Sequence, residues 1–261
     1  MNHTVCDTVV RADSNGITTL TLNRPDQFNA LSEALLKQLD QMLAEIGKDD
    51  TVRVVIIKAN GRAYCVGHDL KEMRENTDAV YLNSLFSKAG EVMLRIKDLP
   101  QPVIASVHAV AAAGGCQLVA ACDLAVASDK AKFAVSGINL GLFCSTPAVA
   151  LSRNISQKRA MEMLLTGDFI DAETALDYGL VNQVVPTDSL GEATMTLAEK
   201  IASKPPAAVR MGKALFYQQL NQRLDAAYQQ ASETITCNMR LDETLEGVDA
   251  FIEKRSPEWQ R

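Results

Sequence analysis

Two turns in this chain have the composition to hold a negatively charged oxygen. In "VVIIKANGRAYCVGHDL" a β-branched run leads to Gly67 and His68; in "VIASVHAVAAAGGCQL" a similar run leads to Gly114 and Gly115. Glycine permits positive φ and a close backbone approach. A helix starting at such a turn offers unpaired N–H groups and the positive end of its dipole. Two N–H donors from separate loops can converge on one carbonyl oxygen, which suits a thioester or ester whose oxygen gains charge. The same residues also make a tightly packed turn into a buried helix, and the pattern alone leaves both readings open. Gln117, one turn inside, forms hydrogen bonds but does not transfer a proton at neutral pH.

Other chemistries find less support. The three histidines (His3, His68, His108) are far apart, and the six cysteines (Cys6, Cys65, Cys116, Cys122, Cys144, Cys237) form no Cys-x-x-Cys. No metal site is expected, and reduced thiols point to a cytoplasmic location. The formal charge of -6 argues against nucleic-acid binding through a basic face, although a few local cations suffice for an anionic small molecule. No apolar run approaches a membrane span, and the N-terminus does not read as a secretory signal.

The elements around the turns follow from periodicity. "ITTLTLNRP" alternates and stops at Pro25, as a strand does. "LSEALLKQLDQMLAEIG" places Leu35, Leu39, Met42 and Ile46 at helical spacing, with Ser32 as cap and Gly47 as stop. "VRVVIIKA" reads as a buried strand, "NGRAYCVGHDL" as a loop, residues 78–97 as a helix and "QPVIASVHAV" as the next strand. "DLAVAS", "KFAVS" and "VNQVVP" are short strand candidates, and "DAETALDYGL" is a short helix from Asp171 to Gly179. The alternation implies a layered α/β architecture followed by a mostly helical C-terminal part.

Five motifs, in order along nearly the whole chain, resemble the crotonase (enoyl-CoA hydratase/isomerase) superfamily. They are "LNRPDQFNAL", "GRAYCVGHDLKEM", "QPVIASVHAVAAAGGCQLVAACDLAVASDKAKF", "TGDFIDAETALDYGLVNQVVP" and "EGVDAFIEKRSPEW". The resemblance implies an α/β spiral of ββα units over residues 1–200. A helical trimerisation region over 201–261 would pack on the core or a neighbouring subunit, giving a homotrimer or a hexamer as a dimer of trimers. It implies an acyl-CoA ligand, with no cofactor beyond coenzyme A, no nucleic acid and no membrane. The oxyanion-hole donors fall on the backbone N–H groups of His68 and Gly114. Ala30, Val66, Gly67, Asp69, Leu70, Gly115 and Cys144 are expected to line the substrate site, with Arg24, Lys71 and, across a subunit boundary, Lys254 (or Arg255) facing coenzyme A.

The chain departs from the family where protons move. Hydratases use two glutamates, one accepting a proton while the other positions water or delivers a proton. Those positions fall here on Gln117 and Gly137. "GHDL" also resembles loops of methylmalonyl-CoA decarboxylases, where the histidine contacts a substrate carboxylate, although Cys144 stands where those enzymes carry tyrosine. Cys144, Ser145 and Thr146 are nearby polar groups, while Glu72, Glu162 and His108 read as solvent-facing or packed. "GHDL" with "NLGLFCSTP" is most similar to the enoyl-CoA hydratase domain-containing subgroup numbered three. An acyl-CoA lyase/isomerase with atypical acid/base groups is expected; the alternatives are an acyl-CoA binding or regulatory protein, or decarboxylation involving His68.

Overall fold

The computed structural model describes residues 7–259, so His3 and Cys6 lie outside the described residues. The strands are β1 (Val9–Ser14), β2 (Ile17–Leu22), β3 (Val54–Ala59), β4 (Ala63–Cys65), β5 (Val103–Val107), β6 (Val110–Ala112), β7 (Leu124–Ser128), β8 (Lys132–Ala134), β9 (Ile170–Asp171) and β10 (Gln183–Val185). The helices are α1 (Glu33–Ile46), α2 (Leu70–Glu75), α3 (Ala79–Asp98), α4 (Gly114–Ala121), α5 (Ser145–Leu151), α6 (Gln157–Thr166), α7 (Ala172–Tyr178), α8 (Leu190–Ala202), α9 (Pro206–Gln219), α10 (Leu224–Met239) and α11 (Asp242–Ile252).

Two sheets organise the chain. One runs β1-β2-β3-β5-β7-β10 and the other β4-β6-β8-β9. β2, β3, β5, β7 and β10 are parallel, and β1 pairs antiparallel to β2 as a hairpin. After β3, β5 and β7 the chain steps to the second sheet as β4, β6 and β8. This corrects two expectations. The apparent loop "NGRAYCVGHDL" contains the fully buried strand β4, and "QPVIASVHAV" is two strands broken at His108–Ala109. Uniform apolarity conceals such a step, because both sheets bury these residues.

α1 forms where its leucines repeat and Ser32 accepts a hydrogen bond from the Leu35 N–H. Its buried face is Leu35, Leu36, Leu39, Leu43 and Ile46; Met42 is only partly covered. The main core lies between α1, α3 and α4 and the sheets, while α8 closes a smaller cluster of Ile17, Val54, Ile56, Ile104 and Val126.

α9 is tied to the core by polar groups. Lys213 Nζ meets Asp123 Oδ2 at 2.7 Å and the Ile96 and Gln101 carbonyls at 2.9 Å. Tyr217 donates to Asp123 Oδ1 at 2.8 Å, and the Val103 N–H donates to Asp123 Oδ2. Burial lowers the Lys213 pKa and raises that of Tyr217, but Asp123 keeps the ammonium satisfied. α10 packs on α9, and α11 on α10.

Candidate functional site

The two turns meet. Leu31 forms an isolated parallel bridge with His68: the Leu31 N–H donates to the Gly67 carbonyl (2.7 Å) and the Asp69 N–H to the Leu31 carbonyl (3.3 Å). The bridge uses the groups flanking His68, so the His68 N–H faces away from Leu31. Gly67 has φ +95°, and a Cβ there would lie 2.8 Å from Ala113 Cβ and 2.9 Å from the Gly114 nitrogen. Gly114 is the first residue of α4, so its N–H has no intrahelical acceptor. The next glycine is required by space alone: a Cβ on Gly115 would stand 2.0 Å from the Cys65 carbonyl oxygen. Ala113 caps α4 at φ 48°, ψ −116°, a strained conformation for a residue with a side chain. The Ala113 N–H donates to the Ala134 carbonyl (2.9 Å), which links this turn to the segment carrying Gly137.

The side chains are neutral and incompletely bonded. His68 packs its ring edge-on against Phe86, with centroids 5.0 Å apart. Burial lowers its pKa to about 4, so the imidazole is uncharged at neutral pH. His68 Nε2 and Gln117 Oε1 are buried and bonded to no other group among the described residues. Gly137 is crowded: a Cβ would lie 2.7 Å from the Leu142 carbonyl oxygen and 2.8 Å from Cys144 Sγ, which accepts the Gly137 N–H at 3.3 Å. The buried Cys144 thiol has its pKa raised by desolvation, as do Cys65 and Cys116, both pushed up to about 12. Such thiols are poor nucleophiles.

Arg24 serves the local structure. It donates to the Ala30 carbonyl (2.7 Å) and pairs with Asp69 at 3.0 Å. Asp69 in turn caps α2 by accepting from the Lys71 and Glu72 N–H groups. Burial pushes the Asp69 carboxyl up, but these bonds and the Arg24 charge outweigh it and hold it below its usual range. Ala30 is buried and Val66 half-buried beside the turn; Leu70 and Lys71 are exposed on α2. Lys254 is exposed just past α11, while Arg255 pairs with Glu246 and Glu253. Glu72 is half-buried and accepts the Glu33 N–H (3.1 Å), capping α1. Glu162 is exposed and pairs with Arg159. His108 bonds the Gly61 carbonyl, Ser145 is exposed and Thr146 half-buried.

Sequence reasoning missed the groups that join the two turns. Asn29 is buried at φ 55°; its carbonyl accepts the Arg24 N–H and its amide reaches the Asn60 and Ala63 carbonyls. Leu31 pairs with His68, and Phe86 supports the imidazole. Asn29 and Leu31 both lie inside "LNRPDQFNAL", where the only sequence signal was the asparagine itself, a residue type enriched at positive φ.

Residues 12–261 match the family model described as enoyl-CoA hydratase/isomerase. Mouse "Enoyl-CoA hydratase domain-containing protein 3, mitochondrial" is 46% identical over 245 residues, covering 94% of this chain and 82% of the relative. The solved structure of human enoyl Coenzyme A hydratase domain-containing protein 3 superposes with a TM-score of 0.94 at 45% identity, over 97% of this chain and 100% of the other. An enoyl-CoA hydratase from Mycobacterium smegmatis gives 0.95 at 53%, over 97% and 98%. The crotonase fold with its helical C-terminal region and the resemblance to subgroup three are thereby borne out. The cytoplasmic placement is overturned, because the mouse, rat and human relatives are named as mitochondrial. The scattered cysteines on which that expectation rested do not distinguish one compartment from another.

Proposed function

This chain belongs to the enoyl-CoA hydratase/isomerase family, and we propose that its two converging turns bind the carbonyl oxygen of an acyl-CoA thioester. The observation that carries this is the meeting of Gly67 with the Gly114 nitrogen, with the His68 and Gly114 N–H groups both free of the bonds that build the turns. An enolate oxygen held by two fixed donors is stabilised without reorganisation, and one donor is worth about 3 kcal/mol of barrier. Ala30, Val66, Leu70 and Gly115 shape the surroundings. Arg24 and Asp69 fix the turn, and Lys71 supplies a cation toward coenzyme A. No cofactor beyond coenzyme A is required by this chemistry.

The reaction is of the lyase/isomerase type but does not follow the two-carboxylate route. Gln117 cannot accept a proton, and the crowding at Gly137 means that a carboxylate has no room there without moving Leu142 and Cys144. The same two observations also support a second reading, an acyl-CoA binding or regulatory protein without hydratase turnover. Decarboxylation through His68 is disfavoured, because the imidazole is uncharged and the nearby guanidinium of Arg24 is committed to Asp69. We also infer assembly through residues 201–261, as a trimer or dimer of trimers, with Lys254 contributed from a neighbouring copy; residues 1–200 form the core.

Titration calorimetry with butyryl-CoA and crotonyl-CoA, beside a crotonyl-CoA hydration assay, tests the proposal. Binding with turnover supports the enzyme, binding without turnover supports the second reading, and no binding overturns both. Gln117→Glu alone is expected to leave hydration slow, since the second carboxylate is still missing.

A further inference from the structure

We propose that Ala113 is a positioning residue: its methyl, set against Gly67, fixes the tilt of the peptide that carries the Gly114 N–H and keeps this donor aimed at the oxygen it shares with the His68 N–H. The inference rests on the acyl-CoA reading above and adds a residue to it. Its ground is a strained backbone at the junction of the two turns. Ala113 has φ 48° and ψ −116°. Phe28, at φ 51° and ψ 32°, shares the positive φ but occupies the left-handed helical well that residues with side chains can enter. Ala113 lies outside that well, in a region left almost entirely to glycine.

Strain of this kind persists only where the surroundings over-determine it. Three contacts do so here. The Ala113 N–H donates to the Ala134 carbonyl at the end of β8 (2.9 Å), and the Ala113 carbonyl accepts the Gln117 N–H in the first turn of α4 (3.0 Å). The methyl faces Gly67, where a Cβ would stand 2.8 Å from the Ala113 Cβ.

Both hydrogen bonds use main-chain atoms, so glycine at this position would keep them and lose only the strain. The methyl therefore contributes restriction. It lies between the turn that carries His68 and the peptide that joins Ala113 to Gly114, and the ψ of Ala113 sets how that peptide is tilted. Glycine widens the accessible φ and ψ on both sides of zero, so the Gly114 N–H gains freedom to swing. A donor stabilises developing charge through its fixed aim, and part of that effect goes with the restriction. Stability and function thus pull in opposite directions at this one position.

The test is infrared difference spectroscopy of the full chain with butyryl-CoA isotope-labelled at the thioester carbonyl, beside urea denaturation of each variant. Two aimed donors draw charge onto the oxygen and weaken the C=O bond, so the bound stretch should fall below its value in free butyryl-CoA. A113G is expected to denature at higher urea yet to lose at least about half of that downshift. A113S, which keeps a Cβ, should retain the downshift. An A113G chain that is more stable with an unchanged downshift makes the methyl merely structural; it overturns the proposal and leaves the acyl-CoA reading standing. Loss of the downshift in a folded A113S chain overturns it as well. Butyryl-CoA that fails to bind the unaltered chain, or binds without any downshift, overturns both.

Discussion

At the scale of single residues, His68 and Ala113 carry measurable consequences. The His68 imidazole takes its proton near pH 4 in the folded chain and near 6.5 when unfolded. Between those values the unfolded state binds more protons, so stability rises with pH across the window and falls as acid is added. Of the loss between about pH 6.5 and 5, on the order of 2 kcal/mol belongs to His68. Urea denaturation of His68→Gln should show a loss smaller by that amount; parallel pH profiles would contradict the burial of a neutral imidazole. At Ala113, where φ is 48°, glycine removes the strain of a Cβ. Ala113→Gly is expected to raise stability by about 1 kcal/mol, read by the same denaturation, and a loss of that size would contradict the strain. The residue types at 67, 68, 114 and 117 were legible in the sequence. The crowding at Gly137 was not, because it comes from Leu142 and Cys144 on a segment that folds back over it.

At the scale of elements, the site exists because β4 and α4 touch. Gly115→Ala would drive a methyl into the Cys65 carbonyl and should cost at least about 3 kcal/mol, lowering the thermal midpoint sharply. Gly90, inside α3 with no atom within 4 Å of its Cβ position, gives the opposite result: Gly90→Ala should stabilise by about 0.5–1 kcal/mol. Calorimetric melts of both variants check the pair. Lys213→Ala should cost about 3 kcal/mol, because the largely covered Asp123 carboxylate is then left with only Tyr217 and the Val103 N–H. Helices with clear caps, such as α1 after Ser32 and α7 between Asp171 and Gly179, were read from sequence because their signals are local. β4 and the break between β5 and β6 were not, because a step from one sheet to another leaves the apolar pattern unchanged.

At the scale of the whole molecule, the C-terminal helices present more apolar surface than a single chain covers. Phe216, Leu220, Leu224, Tyr228, Ile235 and Phe251 are all at least half exposed on α9–α11. That exposure is what the proposed assembly through residues 201–261 would cover. Sedimentation equilibrium is expected to give a trimer or a multiple of it, and a monomer at micromolar concentration would contradict the assembly. The central claim is that one thioester oxygen sits between the two turns. A crystal structure of the chain with butyryl-CoA bound measures this most directly. The account predicts the thioester oxygen at about 2.7–3.1 Å from both the His68 and the Gly114 backbone nitrogens. An oxygen bonded to neither, with the acyl chain bound elsewhere, would contradict it.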